Sequence, residues 1–105
     1  MESERYFNLG AILNITTGRL FTSIDDIYNV LNYLTGEDLT PQQVPTVMEE
    51  ARDYILSIYP ELEGVGETVR INSSLEGIRF LKKQKNIYGK KLSLKPMNKE
   101  KGYIK

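Results

Sequence analysis

Apolar residues recur at helical spacing in four segments of this sequence, and a glycine or a proline closes each of them. The spacing i, i+3, i+4, i+7 places side chains on one side of an α-helix, and glycine and proline are typical of helix ends. Polar residues that can act as N-caps stand at the start of the segments. The pattern therefore predicts helices over residues 8–17 and 23–35, a short turn at 41–44 before a helix from about residue 45 to the proline at 60, and a last helix from 73 or 74 to 88.

Two further segments alternate polar and apolar residues, as a half-buried strand does. They lie at residues 68–71 and 92–94, on either side of the last predicted helix, and could pair with each other. The predicted fold class is mainly α (α+β), a compact bundle of about four helices with a small two-stranded β ribbon. A chain of 105 residues has the length of one domain, which we place at residues 1–96, followed by a basic tail at 97–105.

The chain contains neither cysteine nor histidine. It therefore has no thiolate nucleophile, no disulfide, no imidazole general base and no histidine metal ligand. We expect no catalytic activity, no cofactor and no metal. No apolar run approaches the roughly 18 residues that span a bilayer, and the first residues are not the basic start of a signal peptide. The expected location is a cytoplasm, with no membrane partner.

Charge is distributed unevenly along a chain whose formal net charge is zero. Residues 1–53 carry nine acidic and three basic side chains, whereas residues 54–105 carry five acidic and eleven basic ones. Arg79, Lys82 and Lys83 lie in the most basic part. Such a segment attracts a polyanion, an acidic partner or the acidic half of a neighbour in a homo-oligomer. A solvated basic face with a loose tail is the alternative.

The segment Thr16-Thr17-Gly18-Arg19 is a candidate ligand site. Two hydroxyls, a glycine that permits close approach and a guanidinium are suited to phosphate or carboxylate. A helix-ending turn with an exposed arginine explains the same residues without a ligand. Among the seven tyrosines, four lie on predicted apolar stripes and three, at positions 6, 33 and 103, are candidates for a contact surface.

The sequence also resembles a family of small, functionally uncharacterised proteins of bacteriophages and prophages. The likeness rests on LGAILNITTGRL at residues 9–20, IYNVLNYLTGEDL at 27–39, YPEL at 59–62 and YGKKLSL at 88–94. The resemblance directs attention to Thr16, Thr17, Gly18, Arg19, Asn32, Tyr33, Thr35, Gly36 and Asp38. It implies an accessory protein that acts by stoichiometric binding.

These observations lead to three functional expectations. The first is a non-enzymatic counter-defence protein that inhibits a host immune effector, such as a Cas nuclease with its guide RNA, by occluding a binding surface. The second is an oligomeric sponge for a signalling nucleotide, with Thr16, Thr17, Arg19 and Tyr33 lining pockets between subunits. The third is a phage adaptor that binds nucleic acid through its basic segment.

Overall fold

The computed structural model of the chain describes residues 4–68 and 73–97. The elements in chain order are β1 (Arg5–Asn8), α1 (Leu9–Thr17), α2 (Ile24–Thr35), α3 (Val44–Ile58), a 3₁₀ turn (Pro60–Leu62), α4 (Glu63–Thr68), α5 (Ser74–Tyr88) and β2 (Lys91–Leu94). The two strands form one antiparallel sheet. The predicted fold class, a mainly helical bundle with a two-stranded ribbon, is confirmed.

Helix α1 lies at the centre of the molecule, and every residue from Leu9 to Thr16 is buried. Its neighbours are α2, α3, α4, α5 and both strands. A helix that is apolar around its whole circumference must be covered on all sides. The other elements therefore form a layer around α1, and the hydrophobic core lies between α1 and that layer.

The predicted cap residues define the helix ends. Asn8 Oδ1 accepts a hydrogen bond from Gly10 N at 2.8 Å, and Ser23 Oγ accepts one from Asp26 N at 3.3 Å. Gly18 and Gly36 end α1 and α2 in the left-handed conformation, with φ of 74° and 72°. A residue with a Cβ is disfavoured there, so these two glycines stop the helices where the sequence predicts.

The strand that pairs with β2 differs from the predicted one. Thr68, where the predicted strand begins, is the last residue of α4, and the remaining positions 69–71 lie outside the described residues. Strand β2 instead pairs with β1, with Arg5 opposite Leu94 and Asn8 opposite Lys91. The two aromatic residues of β1, Tyr6 and Phe7, are adjacent in sequence, so the segment lacks the alternation of polar and apolar residues that predicts a strand.

Three tyrosine hydroxyls attach the end of the chain to the helices. Tyr33 of α2 donates to Leu94 O at 2.8 Å, Tyr59 donates to Ser93 O at 2.7 Å, and Tyr54 of α3 donates to Lys95 O at 2.7 Å. Just beyond the strand, Met97 is buried and its N–H donates to Leu34 O at 2.7 Å. The rest of the predicted tail, residues 98–105, lies outside the described residues.

A buried amide orders the connection between α1 and α2. The Asn14 side chain is only 1% exposed, and its Oδ1 accepts from Phe21 N at 2.6 Å and from Thr22 N at 3.3 Å. Its Nδ2 donates to Thr22 Oγ1 at 2.6 Å. One side chain of α1 thus satisfies two backbone donors of the turn that leads into α2.

Replacing this amide should destabilise the protein strongly. We expect Asn14→Leu to lower the free energy of unfolding by about 2–4 kcal/mol, because the buried N–H groups of the turn lose their acceptor. Chemical denaturation measures the change. Asn29→Ala, at an exposed position of α2, is the control and should stay within about 0.5 kcal/mol of the parent protein. Equal stabilities for the two variants would contradict the assigned role of Asn14.

Removing one tyrosine hydroxyl should have a smaller effect. We expect Tyr59→Phe to cost about 0.5–1.5 kcal/mol of unfolding free energy, because Ser93 O loses its donor. Tyr28→Phe is the matched control, since the Tyr28 hydroxyl makes no hydrogen bond within the described part of the chain. The difference between the two variants in thermal denaturation isolates the contribution of the hydroxyl, and no difference would disprove it.

Candidate binding surface

Helix α5 begins and ends where the sequence predicts. Ser73 Oγ accepts a hydrogen bond from Glu76 N at 3.2 Å, and Gly89 follows the last residue of the helix. On its inner side, Phe80 stacks on Phe21 with ring centroids 5.7 Å apart. Near its end, the Tyr88 hydroxyl donates to Glu61 O at 3.3 Å. These contacts fix which side of α5 faces the rest of the protein.

Gly10 allows α5 to approach α1 closely. A Cβ atom at position 10 would lie 2.8 Å from Thr22 Cγ2 and 3.1 Å from Leu81 Cδ2. The first distance is shorter than two carbon atoms tolerate. Thr22 is itself held by Asn14, so it cannot move away freely. The absence of a side chain at position 10 therefore lets Thr22, and beside it Leu81 of α5, pack directly against α1.

The opposite side of α5 combines apolar and basic side chains. Leu75 and Ile78 are 54% and 65% exposed, and the basic residues Arg79, Lys82 and Lys83 are exposed beside them. The three basic positions fall within about 100° of one another around the helix. No carboxylate in the described part of the chain forms an ion pair with them. We call these five residues the α5 outer face.

Acidic side chains of α3 lie on a different side of α1. Ile15 lines an open cavity of about 410 Å³ with Gly18, Met48, Glu49, Arg52 and Asp53. Ile15 and Gly10, which faces α5, are about 140° apart around the axis of α1. The carboxylates beside this cavity are thus separated from the α5 outer face by the central helix.

The structure shows what the polar groups of the Thr16–Arg19 segment do within the chain. Thr17 Oγ1 donates to Leu13 O at 2.6 Å and accepts from Arg19 N at 3.1 Å. Thr16 is buried, and its Oγ1 has no hydrogen-bond partner among the described residues. Arg19 is exposed. The Thr17 hydroxyl thus serves the end of α1, and Arg19 is the exposed charged side chain of this segment.

Asn32 also acts within its own turn. Its Oδ1 accepts a hydrogen bond from Leu39 N at 3.0 Å, which holds the connection between α2 and α3. Asp38, in the same connection, is exposed. Neither side chain lines the cavity beside Ile15 and Gly18.

Tyr33 is part of the packing between α2 and the sheet. Its ring lies 5.3 Å from the Phe7 ring, and its hydroxyl is the donor to Leu94 O. The Arg5 guanidinium lies 4.9 Å from the centroid of the Phe7 ring and 5.8 Å from that of Tyr33. The predicted contact residue is therefore half-buried beneath another side chain, whereas Tyr6 on the other face of β1 is exposed.

A second cavity, of about 380 Å³, lies between α3 and the sheet. Tyr54, Ile58 and Tyr59 line it from the α3 side, and Glu4, Ser93 and Lys95 line it from the side of the sheet. The hydroxyls of both tyrosines already donate to backbone carbonyl groups, that of Tyr59 to Ser93 O and that of Tyr54 to Lys95 O. Within residues 4–68 and 73–97, no group of acidic side chains is arranged to hold a metal ion, and no helix could cross a membrane.

Residues 7–65, more than half of the chain, match the family described as domain of unknown function DUF7736. The chain belongs to this family. The match extends from β1 into α4, so α5 and β2 of this DUF7736 protein lie beyond the matched region. No curated protein and no solved structure matches the chain.

The exposed apolar residues of α5 were not predicted. Sequence spacing places Leu75 and Ile78 on one apolar stripe with Leu81, and a stripe normally faces the core. In this DUF7736 protein only Leu81 of that stripe packs against the core, together with Phe80, whereas Leu75 and Ile78 are exposed. The closely spaced lysines of α5 indicate an exposed helix, but which apolar side chains join them depends on how α5 packs.

A methyl group at position 10 should disturb the docking of α5. We expect Gly10→Ala to lower the unfolding free energy by about 1–2 kcal/mol, because overpacking outweighs the gain in helix propensity. Gly64→Ala is the control, since no atom lies within 4 Å of a Cβ there, and it should be neutral or stabilising by up to about 1 kcal/mol. Urea denaturation compares them. A neutral Gly10→Ala would refute the tight contact.

Proposed function

We propose that this DUF7736 protein acts by binding, without catalysis, and that the α5 outer face docks on another macromolecule. The observation that carries the proposal is the pairing of exposed Leu75 and Ile78 with three basic residues that have no ion-pair partner in the described part of the chain. Unpaired basic side chains attract phosphate or carboxylate groups. Exposed apolar side chains gain free energy when a partner covers them.

The most concrete form of the proposal is a counter-defence protein that inhibits a host immune effector, such as a Cas nuclease with its guide RNA. Basic residues on α5 would contact guide RNA or an acidic patch of the effector. Glu49 and Asp53, on another side of α1, would take the place of phosphates in a nucleic-acid-binding groove. The resemblance to phage and prophage proteins supplies the biological context.

A nucleic-acid-binding adaptor is the second candidate, and the same unpaired basic residues favour it. Phosphate contacts require Arg79, Lys82 and Lys83 but make no use of Leu75 and Ile78. The nucleotide sponge draws less support, because the Thr17 hydroxyl is engaged within α1 and carboxylates border the cavity beside Gly18. Glu49 and Asp53 would repel a phosphate, and the Arg52 guanidinium in the same lining balances only one of their two charges.

Reversing the charge of α5 should abolish binding. The test variant is Arg79→Glu/Lys82→Glu/Lys83→Glu, and the control Lys90→Glu/Lys91→Glu/Lys95→Glu changes net charge equally at exposed positions outside α5. The probes are a purified Cas nuclease loaded with guide RNA, the guide RNA alone and duplex DNA, each across a salt series. We expect the α5 variant to bind the loaded nuclease at least about tenfold more weakly and to lose inhibition of DNA cleavage, with the control little changed.

The two candidates differ in their response to Leu75→Ser/Ile78→Ser. Weakened binding to the loaded nuclease supports a protein partner, whereas unchanged binding to duplex DNA with a steep salt dependence supports the adaptor. Binding that responds neither to salt nor to the α5 charge reversal would remove the proposed surface. Turnover of a substrate by the pure protein would remove the proposal that the chain acts without catalysis.

A further inference from the structure

The backbone groups of β1 alternate between two directions. Leu9 N donates to Lys90 O at 2.8 Å, just beyond the paired residues of the two strands. Hydrogen-bonded and non-hydrogen-bonded pairs alternate along antiparallel strands. Phe7 and Arg5 therefore carry the hydrogen bonds to β2, and Tyr6 between them directs its N–H and C=O away from β2. The sheet thus has an outer edge on β1.

The outer edge of β2, in contrast, is occupied by side chains. By the same alternation, Ser93 and Lys95 point their carbonyl groups away from β1. Tyr59 and Tyr54 donate their hydroxyls to these carbonyl oxygens, both at 2.7 Å. An added strand would have to displace two hydrogen bonds and two half-buried rings. The edge of β2 is therefore closed to strand addition.

Among the described residues, no side chain donates to or covers the outer edge of β1 in this way. Tyr6 N–H and C=O make no hydrogen bond within the described part of the chain, and the residue is 61% exposed. Natural sheets protect an open edge with proline, lysine or a β-bulge. The residues on this edge are Glu4, Tyr6 and Asn8, and the register of β1 runs without a bulge. Natural sheets also protect an edge by keeping its strand short, and β1 has only four residues, so a strand that pairs with it gains few hydrogen bonds.

We propose that the outer edge of β1 pairs antiparallel with the same edge of a second copy of this chain, which makes one four-stranded sheet across a two-fold axis. With the axis at Tyr6, each Tyr6 exchanges backbone hydrogen bonds with its copy. Glu4 then lies opposite Asn8 at both ends, where the Asn8 N–H can donate to Glu4 O of the second copy, whereas the Asn8 C=O is already an acceptor within α1. No like charges face each other, and the tyrosine rings meet on the exposed side of the sheet.

Three further considerations favour a second copy as the occupant. An interface on a two-fold axis must be self-complementary, and this edge meets that condition. The chain carries no formal net charge, so two copies do not repel each other overall. Two-stranded sheets are only marginally stable, and added strands stabilise them. This inference does not depend on the proposed function, because it uses a surface other than the α5 outer face.

The proposed pairing can be tested by measuring how strongly the protein dimerises. Because each strand is short, we expect a weak dimer that forms at about 0.1 mM protein or above, measured by sedimentation equilibrium. Tyr6→Pro removes an N–H that β2 does not use, and it should weaken the dimer at least about tenfold. Tyr6→Thr keeps the N–H and should weaken it less. A chain that stays monomeric up to about 1 mM, or a dimer that Tyr6→Pro leaves unchanged, would overturn the proposal.

A charge-swap pair keeps the proposal testable if Tyr6→Pro does not fold. Tyr6→Lys and Tyr6→Glu each place like charges opposite each other at the two-fold axis, so each variant alone should be monomeric. An equimolar mixture should recover dimers, since opposite charges then meet. Recovery on mixing supports pairing through β1. Dimers of either variant alone as strong as those of the parent chain, or no recovery on mixing, would refute it.

Discussion

The structure depends on the complete burial of one short helix. From Leu9 to Thr16, α1 exposes almost no surface, so every direction around its axis has to be covered by another element. Helices α2, α3 and α4 and the sheet each cover one part, and α5 closes the side that faces Gly10. The buried amide of Asn14 then links this core to the turn before α2, because its bonding groups have no access to water.

A central helix also separates the charges of the chain. Helix α5 covers α1 on one side and α3 on another, so the basic residues of one and the acidic residues of the other reach solvent in different directions. The uneven charge along the sequence thus becomes two separate surfaces in the folded protein. The α5 outer face adds exposed Leu75 and Ile78 to its basic residues, which gives it the mixed character of a protein interface.

The two edges of the sheet differ because of one tyrosine in α3 and one just after it. Tyr54 and Tyr59 close one edge by donating hydroxyls to backbone carbonyls, whereas no residue of the described part of the chain covers the edge of β1. The result is a small domain with two surfaces of different chemistry. One offers charge and apolar side chains, and the other offers unpaired backbone groups.

The sequence alone determined the elements whose signals are local: the capped helices, the glycines that end them, strand β2 and the basic cluster on α5. Caps and helical spacing act over a few residues, so one sequence reveals them. Only the tertiary structure decided the features that depend on distant contacts. Strand β1 pairs with β2, and residues 63–68 form a helix. The side chains of Thr17 and Asn32 bond within their own turns, and Leu75 and Ile78 face outward. The physical reason is that a side chain's exposure is set by what packs against its element, and that partner lies far away in sequence.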